Sequence, residues 1–396
     1  MSSARKLNAS IGVKRRNASR RLNSHETFMA LALREAERGL YTAQPNPRVG
    51  CLLVKDGEIV GRGFHLQTGQ GHAEANALRD AGARADGATC YVTLEPCSFV
   101  GRTPSCADAL ISAGVKTVVY AMTDPHTRNQ GLGLAKLRDA GIDVVGPVLE
   151  VSARALNPGH IRRFETGLPF VRLKLAMSLD GKTALANGDS QWITSAAARQ
   201  DVQRLRARSS VVVTGVETVI SDDPAMTVRA DELEVEYADL AATVARSIIV
   251  MDTHLRIPRV SRILQNPQTQ VACSAAAALT MVDADQEVRS IRTMVTSLGP
   301  DGRLDIPELL RHLASQNNNE VLFECGATLA GSLVRSGLVD EIVLYMAPRL
   351  MGKDARSLLN IPAIGNMGDL IELDIQDVRQ VGPDLRLVAR ITSTNT

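Results

Sequence analysis

Four residues in the first third of the chain have the types and order found in metal-dependent hydrolases. His72 and Glu74 are separated by one residue, and Cys97 and Cys106 follow later in the chain. One imidazole and two thiolates give a zinc ion three protein ligands and leave the fourth tetrahedral position to water, which is typical of a catalytic zinc. The sequence therefore predicts that His72, Cys97 and Cys106 bind Zn2+.

Glu74 is the predicted proton carrier of this site. A bound zinc lowers the pKa of its water to about 7. Because Glu74 lies two residues beyond a ligand, at the start of the same predicted helix, it can reach that water without binding the metal. There it can take a proton and return it to a ring nitrogen and to the leaving ammonia. His-x-Glu followed by Pro-Cys is the signature of zinc-dependent deaminases.

Alternating strands and helices must hold these residues in place. Cys97 follows a predicted strand and His72 starts a predicted helix, so the site falls at the carboxyl edge of an α/β sheet, where such sheets bind ligands. Apolar runs and helical spacing predict strands at 49–54, 88–94, 115–122 and 142–145, and helices from Ser24 onward and at 72–78, 104–113 and 133–140.

The cysteines need separate comment. Only two residues intervene between the cysteines in the short form of the signature, whereas eight residues separate Cys97 from Cys106. Cys51 and Cys90 lie inside apolar runs, which favours core thiols over additional metal ligands.

The length and composition indicate two or three domains. The chain has 396 residues, of which 44% are hydrophobic and 22% charged, and a domain averages roughly 150 residues. The predicted organisation is a basic leader at 1–23, a domain at 24–146, a linker at 147–167 and a second α/β domain at 168–396. In the second domain, strands are predicted at 170–177, 209–214, 246–251, 320–324 and 339–346, and helices at 195–207, 305–315 and 327–336.

The leader sets the charge distribution. It contains seven Lys and Arg residues and no acid, so the rest of the chain is mildly acidic although the net charge is +2. Its composition fits an organellar transit peptide or a disordered tail. Because the chain has no run of 18 apolar residues and no secretion signal, we expect no membrane span and a cytoplasmic location, with organellar import as the alternative.

Four motifs make the first domain recognisable: Pro45-Asn46-Pro47-Arg48-Val49-Gly50-Cys51, His72-Ala73-Glu74, Thr93-Leu94-Glu95-Pro96-Cys97 and Gly101-Arg102-Thr103-Pro104-x-Cys106. They resemble the deaminase half of the bifunctional riboflavin-biosynthesis deaminase–reductase family, in which the long loop between the cysteines is typical. The resemblance implies a three-layer, cytidine-deaminase-like α/β fold. It also implies removal of an amino group from 2,5-diamino-6-ribosylamino-4(3H)-pyrimidinone 5′-phosphate.

The same resemblance implies two substrate contacts in this domain. Asn46 would hold the pyrimidine ring, and the loop around Arg102 would hold the ribose phosphate. An Asn amide can read a ring edge and a guanidinium suits a phosphate. The alternative for Arg102 is a solvated loop charge.

The second domain lacks an ordinary dinucleotide fingerprint, since no Gly-x-Gly-x-x-Gly follows a strand in 168–396. Small residues at 326–332 instead join a predicted strand to a predicted helix. Backbone amides and the helix dipole can hold a phosphate at such a turn. A plain strand–turn–helix with small packing residues is the alternative.

Several segments of this domain nevertheless resemble the reductase half of the same family. They are the strand and turn at 173–182, the segment 190–195 with the only tryptophan, the acidic loop at 218–229 and the turn at 324–332. The resemblance covers nearly all of 168–396. It implies a dihydrofolate-reductase-like fold, NADPH as cofactor, and hydride transfer to C1′ of the ribosyl group, which opens to a ribityl chain.

The resemblance also implies the contacts of the reductase site. Lys174 and Glu324 would handle charge at the reacting ribose, and Arg206 and Arg229 would clamp the 5′-phosphate. The alternatives are a structural ion pair for Lys174 and Glu324 and a core position for Trp192. Met226 stands where the family leads us to expect Leu. Residues expected to contact NADPH are Ala176, Trp192, Thr218, Asp222, Thr253, Gly326, Ala327, Thr328, Leu329, Ala330, Gly331 and Ser332; those expected to contact substrate are Ser190, Arg206, Met226, Arg229 and Glu324.

These features favour a two-step enzyme acting on small phosphorylated ribosylaminopyrimidines, which we expect to form a homo-oligomer. The rival is a nucleic-acid deaminase whose second domain binds RNA. The acidic body and an aromatic content of 3% argue against that rival, because nucleic-acid binding needs basic surfaces and stacking side chains. A catalytically inactive half is a further alternative, although every expected zinc and glutamate position is filled.

Overall fold

The computed structural model describes residues 25–99, 105–280 and 291–393. The chain divides into two compact units, Met1–Phe164 and Glu165–Thr396. The leader and Arg102 lie outside the described residues. Within the described part of the chain, we find no helix with the length and apolar character needed to cross a membrane.

The described strands of the first unit are β1 (Gly50–Lys55), β2 (Glu58–Phe64), β3 (Thr89–Val92), β4 (Thr117–Tyr120) and β5 (Asp143–Val145). They form one sheet in the order β2-β1-β3-β4-β5. β1 pairs antiparallel with β2 and β3, whereas β3, β4 and β5 run parallel. The predicted strands are present, and the sheet brings the carboxyl ends of β3 and β4 to one edge.

The described helices of the first unit are α1 (25–37), α2 (Ala73–Ala81), α3 (Cys106–Ser112), α4 (Leu132–Asp139), α5 (Glu150–Leu156) and α6 (Pro158–Thr166). The core is aliphatic, and Leu52, Leu53 and Val92 are fully buried in it. An apolar sheet covered by small helical residues such as Ala73 and Ala77 explains how a chain with so few aromatics closes this core.

The segment 147–167 is not the linker that its prolines and glycines suggest. It forms α5 and α6, and Ala153 and Ile161 are buried in the core of the first unit. Pro158 is the first residue of α6. A proline is tolerated at that position because the first amides of a helix have no intrahelical acceptor. The residue that suggested a linker therefore begins a helix.

The described strands of the second unit are β6 (Phe170–Ser178), β7 (Lys182–Ala184), β8 (Val211–Gly215), β9 (Ser247–Met251), β10 (Thr269–Cys273), β11 (Thr293–Val295), β12 (Glu320–Glu324), β13 (Glu341–Ala347), β14 (Arg356–Ser357), β15 (Glu372–Val381) and β16 (Asp384–Ser393). The main sheet has the order β11-β10-β9-β8-β12-β6-β13-β16-β15, and β14 pairs with β7. Its pairs are parallel from β11 to β13 and antiparallel from β13 to β15.

The described helices of the second unit are α7 (Ala196–Arg208), α8 (Val216–Asp222), α9 (Ala238–Thr243), α10 (Ala275–Thr280), α11 (Ile306–Ser315) and α12 (Ala327–Arg335). A buried ion group fixes the central strands: Arg172 of β6 lies 3.2 Å from Glu320 of β12 and also contacts Glu341 of β13. Arg172 and Glu320 are fully buried, so removing the charge of Arg172 would leave two acids, Glu320 and Glu341, without their shared buried cation.

Candidate active sites

The three predicted zinc ligands converge in the first unit. His72 Nδ1 lies 3.7 Å from Cys97 Sγ and 3.3 Å from Cys106 Sγ, and the three ligand atoms lie within 4.8 Å of one another. Metal–sulfur and metal–nitrogen bonds of about 2.3 and 2.0 Å place the ligand atoms of one tetrahedral zinc roughly 3.5 Å apart. The donor set and its spacing therefore fit a zinc ion.

Each ligand stands at the end of a secondary-structure element. His72 precedes α2 as its N-cap, Cys106 is the first residue of α3, and Cys97 follows β3. The Ser105 hydroxyl donates to the Cys97 carbonyl at 2.9 Å and caps α3 by accepting from the Asp108 amide. The Cys106 amide donates to Cys97 Sγ at 3.2 Å. These contacts join both ends of the long loop between the cysteines.

The electrostatics of this site suit metal binding and proton transfer. The hydrogen bond from Cys106, followed by that from His72, lowers the pKa of Cys97 to about 4, which favours the thiolate that zinc binds. The same hydrogen bond raises the pKa of Cys106, so Cys106 must lose its proton when it binds a metal. Glu74 is only 4% exposed. Burial raises the pKa of Glu74 to about 7, and the Cys97 charge acts in the same direction. A carboxyl that titrates near neutral pH can both accept and donate a proton.

Glu95 supports the backbone of the Pro-Cys turn, a role that the sequence motifs did not reveal. Its carboxylate accepts from the amides of Gly131 and Gly133 near the start of α4, at 3.0 and 2.9 Å, and from Asp124 at 3.1 Å. A Cβ on Gly133 would overlap the Pro96 carbonyl oxygen. Glu95 and Gly133 therefore hold α4 directly against the backbone that carries Cys97. A Glu before Pro-Cys is visible in the sequence, but its partners are not.

His65 is a second residue that the motifs did not reveal. It is buried, and its ring lies edge-on to His72 with 5.5 Å between centroids. Its Nδ1 faces the Gly71 carbonyl at 3.1 Å, and its Nε2 lies 3.0 Å from Nδ2 of Asn46. Because a carbonyl only accepts, Nδ1 carries the proton and Nε2 accepts from Asn46. His65 therefore orients the amide of the predicted ring-binding residue beside the zinc ligands.

The second unit contains a cleft of about 1120 Å³ at the carboxyl ends of β6, β8, β9 and β12. Small-molecule sites are typically about 300–1,000 Å³, so this volume suits a dinucleotide together with a substrate. The predicted residues that line it are Lys174, Ala176, Ser190, Trp192, Arg206, Thr218, Asp222, Met226, Arg229, Thr253, Glu324, Gly326, Ala327, Thr328, Leu329 and Ser332.

Two predicted cofactor contacts, Ala330 and Gly331, do not line the cleft. Ala330 is fully buried in the core of the second unit, and a Cβ on Gly331 would overlap the Asn360 carbonyl oxygen. Both lie within α12, where successive residues turn by about 100° and so cannot all face one side. The prediction assigned every residue of 326–332 to the cofactor although a helix was expected from 327, whereas only 326–329 and Ser332 line the cleft.

Lys174 and Glu324 both line the cleft. They occupy paired positions on the parallel strands β6 and β12. Burial lowers the pKa of Lys174, partly offset by Glu324. Burial alone would raise the pKa of Glu324, but Arg206 and Lys174 bring it below its usual value. Burial thus disfavours the charged form of Lys174, whereas Arg206 and Lys174 favour the carboxylate form of Glu324.

Arg206 donates two hydrogen bonds to the Glu324 carboxylate. Its Nε lies 2.6 Å from one carboxylate oxygen and an Nη lies 3.0 Å from the other, and a third donor reaches the Thr227 carbonyl. A guanidinium engaged in this way orients the carboxylate and offers little to a phosphate. The geometry therefore favours Arg206 as the partner of Glu324 over its predicted role in a phosphate clamp.

Trp192 is not a core residue. It is 61% exposed, and the Arg199 guanidinium lies 4.4 Å above its ring. Nearby, Ser190 donates to Asp222 at 3.2 Å, which joins a predicted substrate contact to a predicted cofactor contact. The exposed tryptophan and the arginine stacked on it thus both line the cleft.

Both halves of the chain match known families. Residues 22–122 match the cytidine and deoxycytidylate deaminase zinc-binding region, and residues 169–387 match the RibD C-terminal domain. The riboflavin biosynthesis protein RibD of Escherichia coli is 47% identical over 91% of this chain and 98% of its own length. The chain belongs to the RibD family.

Solved structures of the RibD family agree with this membership. One form of Acinetobacter baumannii RibD is 40% identical and superposes with a TM-score of 0.84, covering 94% of this chain and all of that one. A Thermotoga maritima diaminohydroxyphosphoribosylaminopyrimidine deaminase/5-amino-6-(5-phosphoribosylamino)uracil reductase is 29% identical, with a TM-score of 0.80 over 94% of this chain and 99% of its own. The predicted fold class and function are confirmed: the chain is a bifunctional deaminase and reductase of riboflavin biosynthesis.

Proposed function

We propose that the first unit deaminates 2,5-diamino-6-ribosylamino-4(3H)-pyrimidinone 5′-phosphate. The second unit then uses NADPH to reduce the ribosyl group, giving 5-amino-6-ribitylamino-uracil 5′-phosphate. The observation that carries this proposal is the cluster of His72, Cys97 and Cys106, within 4.8 Å of one another, in one chain with a reductase domain. The name of the Thermotoga maritima relative, which pairs the same two activities, supports the substrate assignment.

In the deamination step, zinc held by the three ligands would supply an activated water. Glu74 carries one proton of that water to the ring nitrogen and then carries the second to the amino group, which leaves as ammonia. Asn46, held by His65 at 3.0 Å, positions the ring edge. Water replaces the amino group, so the products are a carbonyl and ammonia.

In the reduction step, NADPH bound in the cleft would supply the hydride. Lys174 and Glu324 handle the proton that the ribose oxygen takes up as the ring opens. Arg206 orients Glu324 through two hydrogen bonds. Arg229, which lines the cleft with a half-exposed guanidinium, is then the arginine proposed to hold the 5′-phosphate.

A coupled assay of the full chain tests both steps. With the diaminopyrimidine phosphate alone, we expect ammonia release and accumulation of the deaminated ribosylamino compound. With NADPH added, we expect one NADPH oxidised for each ammonia released. If the chain instead releases ammonia from cytidines in RNA, and oxidises NADPH with neither RNA nor the diaminopyrimidine phosphate, a nucleic-acid deaminase is favoured.

We also propose that the chain forms a homo-oligomer through β15. This edge strand exposes large apolar side chains, with Leu373 at 49%, Ile375 at 56% and Val378 at 55% exposure. A long edge strand with free backbone groups invites pairing. A second copy can pair with it antiparallel about a two-fold axis, the commonest symmetry of soluble oligomers.

We also propose a cytoplasmic location for the chain, since thiolate ligands such as Cys97 need a reducing compartment.

Ile375→Glu is expected to shift the wild-type oligomer towards monomer, because each copy would bring a charge into an interface built on apolar side chains. Sedimentation velocity at several concentrations measures the shift, with Leu350→Glu, another exposed apolar position outside β15, as the matched control. A wild-type chain that sediments as a monomer at all concentrations, or an Ile375→Glu oligomer that is unchanged, would contradict the assignment of this strand.

A further inference from the structure

The order of the parallel strands orients an extended dinucleotide in the reductase cleft. The reacting end must lie at Lys174 and Glu324, on β6 and β12. Beyond β12 the sheet continues through β8 to β9. Strands lie about 4.8 Å apart, so the end of β9 is roughly 10–15 Å from the reacting end. The adenosine half of the cofactor therefore belongs near the end of β9. This step rests on the proposed use of a nicotinamide dinucleotide.

An ion pair stands at that position. Arg256, in the loop after β9, lies with an Nη 2.7 Å from a carboxylate oxygen of Glu217 in the first turn of α8. Both side chains line the cleft, with exposures of 51% and 72%. Asp252 is buried beneath them; it accepts from the Ile257 amide at 2.8 Å and lies 3.9 Å from Arg256 Nε. Asp252 thus shapes the loop that carries Arg256.

The two members of this pair favour different cofactors. A guanidinium matches the 2′-phosphate that distinguishes NADPH from NADH, whereas a carboxylate favours the free 2′-hydroxyl of NADH and repels a phosphate. The pair is solvent-exposed, so the arginine can leave the glutamate at little cost. Several other arginines of the cleft have partners elsewhere: Arg206 binds Glu324, Arg199 stacks on Trp192, and Arg303 contacts Ser332 on α12. The remaining arginines that line the cleft are Arg229, Arg262 and Arg356.

We propose that the Arg256–Glu217 pair sets the preference between NADPH and NADH. Arg256 binds the 2′-phosphate, and Glu217 opposes it by competing for the arginine and by repelling the phosphate. The preference of this chain for NADPH over NADH is therefore weaker than Arg256 alone would give. A single substitution in the pair can raise or lower that preference.

Binding of 2′,5′-ADP and of 5′-AMP to the full chain, measured by calorimetry, tests the proposal, because the two probes differ only in the 2′-phosphate. Arg256→Ala is expected to weaken 2′,5′-ADP binding at least tenfold and to leave 5′-AMP binding unchanged. Glu217→Gln is expected to strengthen 2′,5′-ADP binding several-fold. The matched control is Arg62→Ala, because Arg62 is 49% exposed and lies 3.0 Å from an acid, Glu35, but belongs to the first unit and does not line the cleft.

The outcomes separate this proposal from the proposed cofactor itself. If the wild-type chain binds neither probe nor NADPH, the cofactor assignment fails. If the wild type binds 2′,5′-ADP and Arg256→Ala binds it equally well, or Glu217→Gln weakens it, the role of the pair is overturned. Steady-state ratios of kcat/KM for NADPH and NADH should change in the same directions as the affinities.

Discussion

Glu74→Gln is expected to keep zinc bound and to lower the deamination rate by about 10²–10⁴-fold, the usual contribution of a general acid–base. Glutamine is nearly isosteric with glutamate, so a side chain that is 4% exposed keeps its packing but can no longer take a proton. Ammonia release from the diaminopyrimidine phosphate measures the rate, and metal analysis measures the zinc.

The chain supplies its own controls for this variant. Reduction of the deaminated substrate should be unchanged, because it depends on the second unit. Cys97→Ser is the contrasting variant: it removes one of three ligands and is expected to lose both zinc and deamination. Normal ammonia release by Glu74→Gln would assign the proton transfer to another group, and full zinc retention by Cys97→Ser would contradict the ligand set.

Lys174→Met is expected to lower the rate of NADPH oxidation at least about 100-fold while deamination continues. The variant removes the cation that faces the reacting ribose but keeps a long apolar side chain. Glu324 remains paired with Arg206 through two hydrogen bonds, so the substitution does not leave a buried carboxylate without a partner. Single-turnover NADPH oxidation with the deaminated substrate measures the effect.

A binding measurement separates chemistry from structure in this second case. NADP+ affinity and thermal unfolding of the second unit should be close to those of the wild type. Arg172→Met is the comparison for a structural ion group, because Arg172 is fully buried between Glu320 and Glu341 and its loss should destabilise the fold. If the Lys174→Met protein reduces substrate at the normal rate, the reductive role of Lys174 is wrong. Lys174 and Glu324 would then be the structural ion pair that the sequence offers as the alternative.

Several features could be predicted because short stretches of chain determine them. The zinc ligands lie at the starts of α2 and α3 and just after β3, so local strand and helix signals already place their backbones. The strands that were predicted in both sheets are apolar runs, which burial requires. Charged residues interrupt β15 and β16, and these strands were not predicted. The side chains of β15 are largely exposed, and β16 buries only Val388 and Ala389 of its apolar side chains.

Other features depend on residues far apart in the chain. Nothing next to His65 or Glu95 in sequence predicts that one orients Asn46 or that the other binds the start of α4. The ends of α5 and α6 could not be located by composition, because a proline in a loop and a proline at the start of a helix look alike.

The sequence alone predicted the metal ligands and the proton carrier and determined the two-domain chemistry, since these need particular residue types in a particular order. Only the tertiary structure decided which partner each charged or small side chain contacts. Arg206 faces Glu324, 118 positions away, and not an open phosphate site, and Ala330 packs inward from α12. The reason is physical: a charged or small side chain has several possible partners, and packing of distant elements selects one of them.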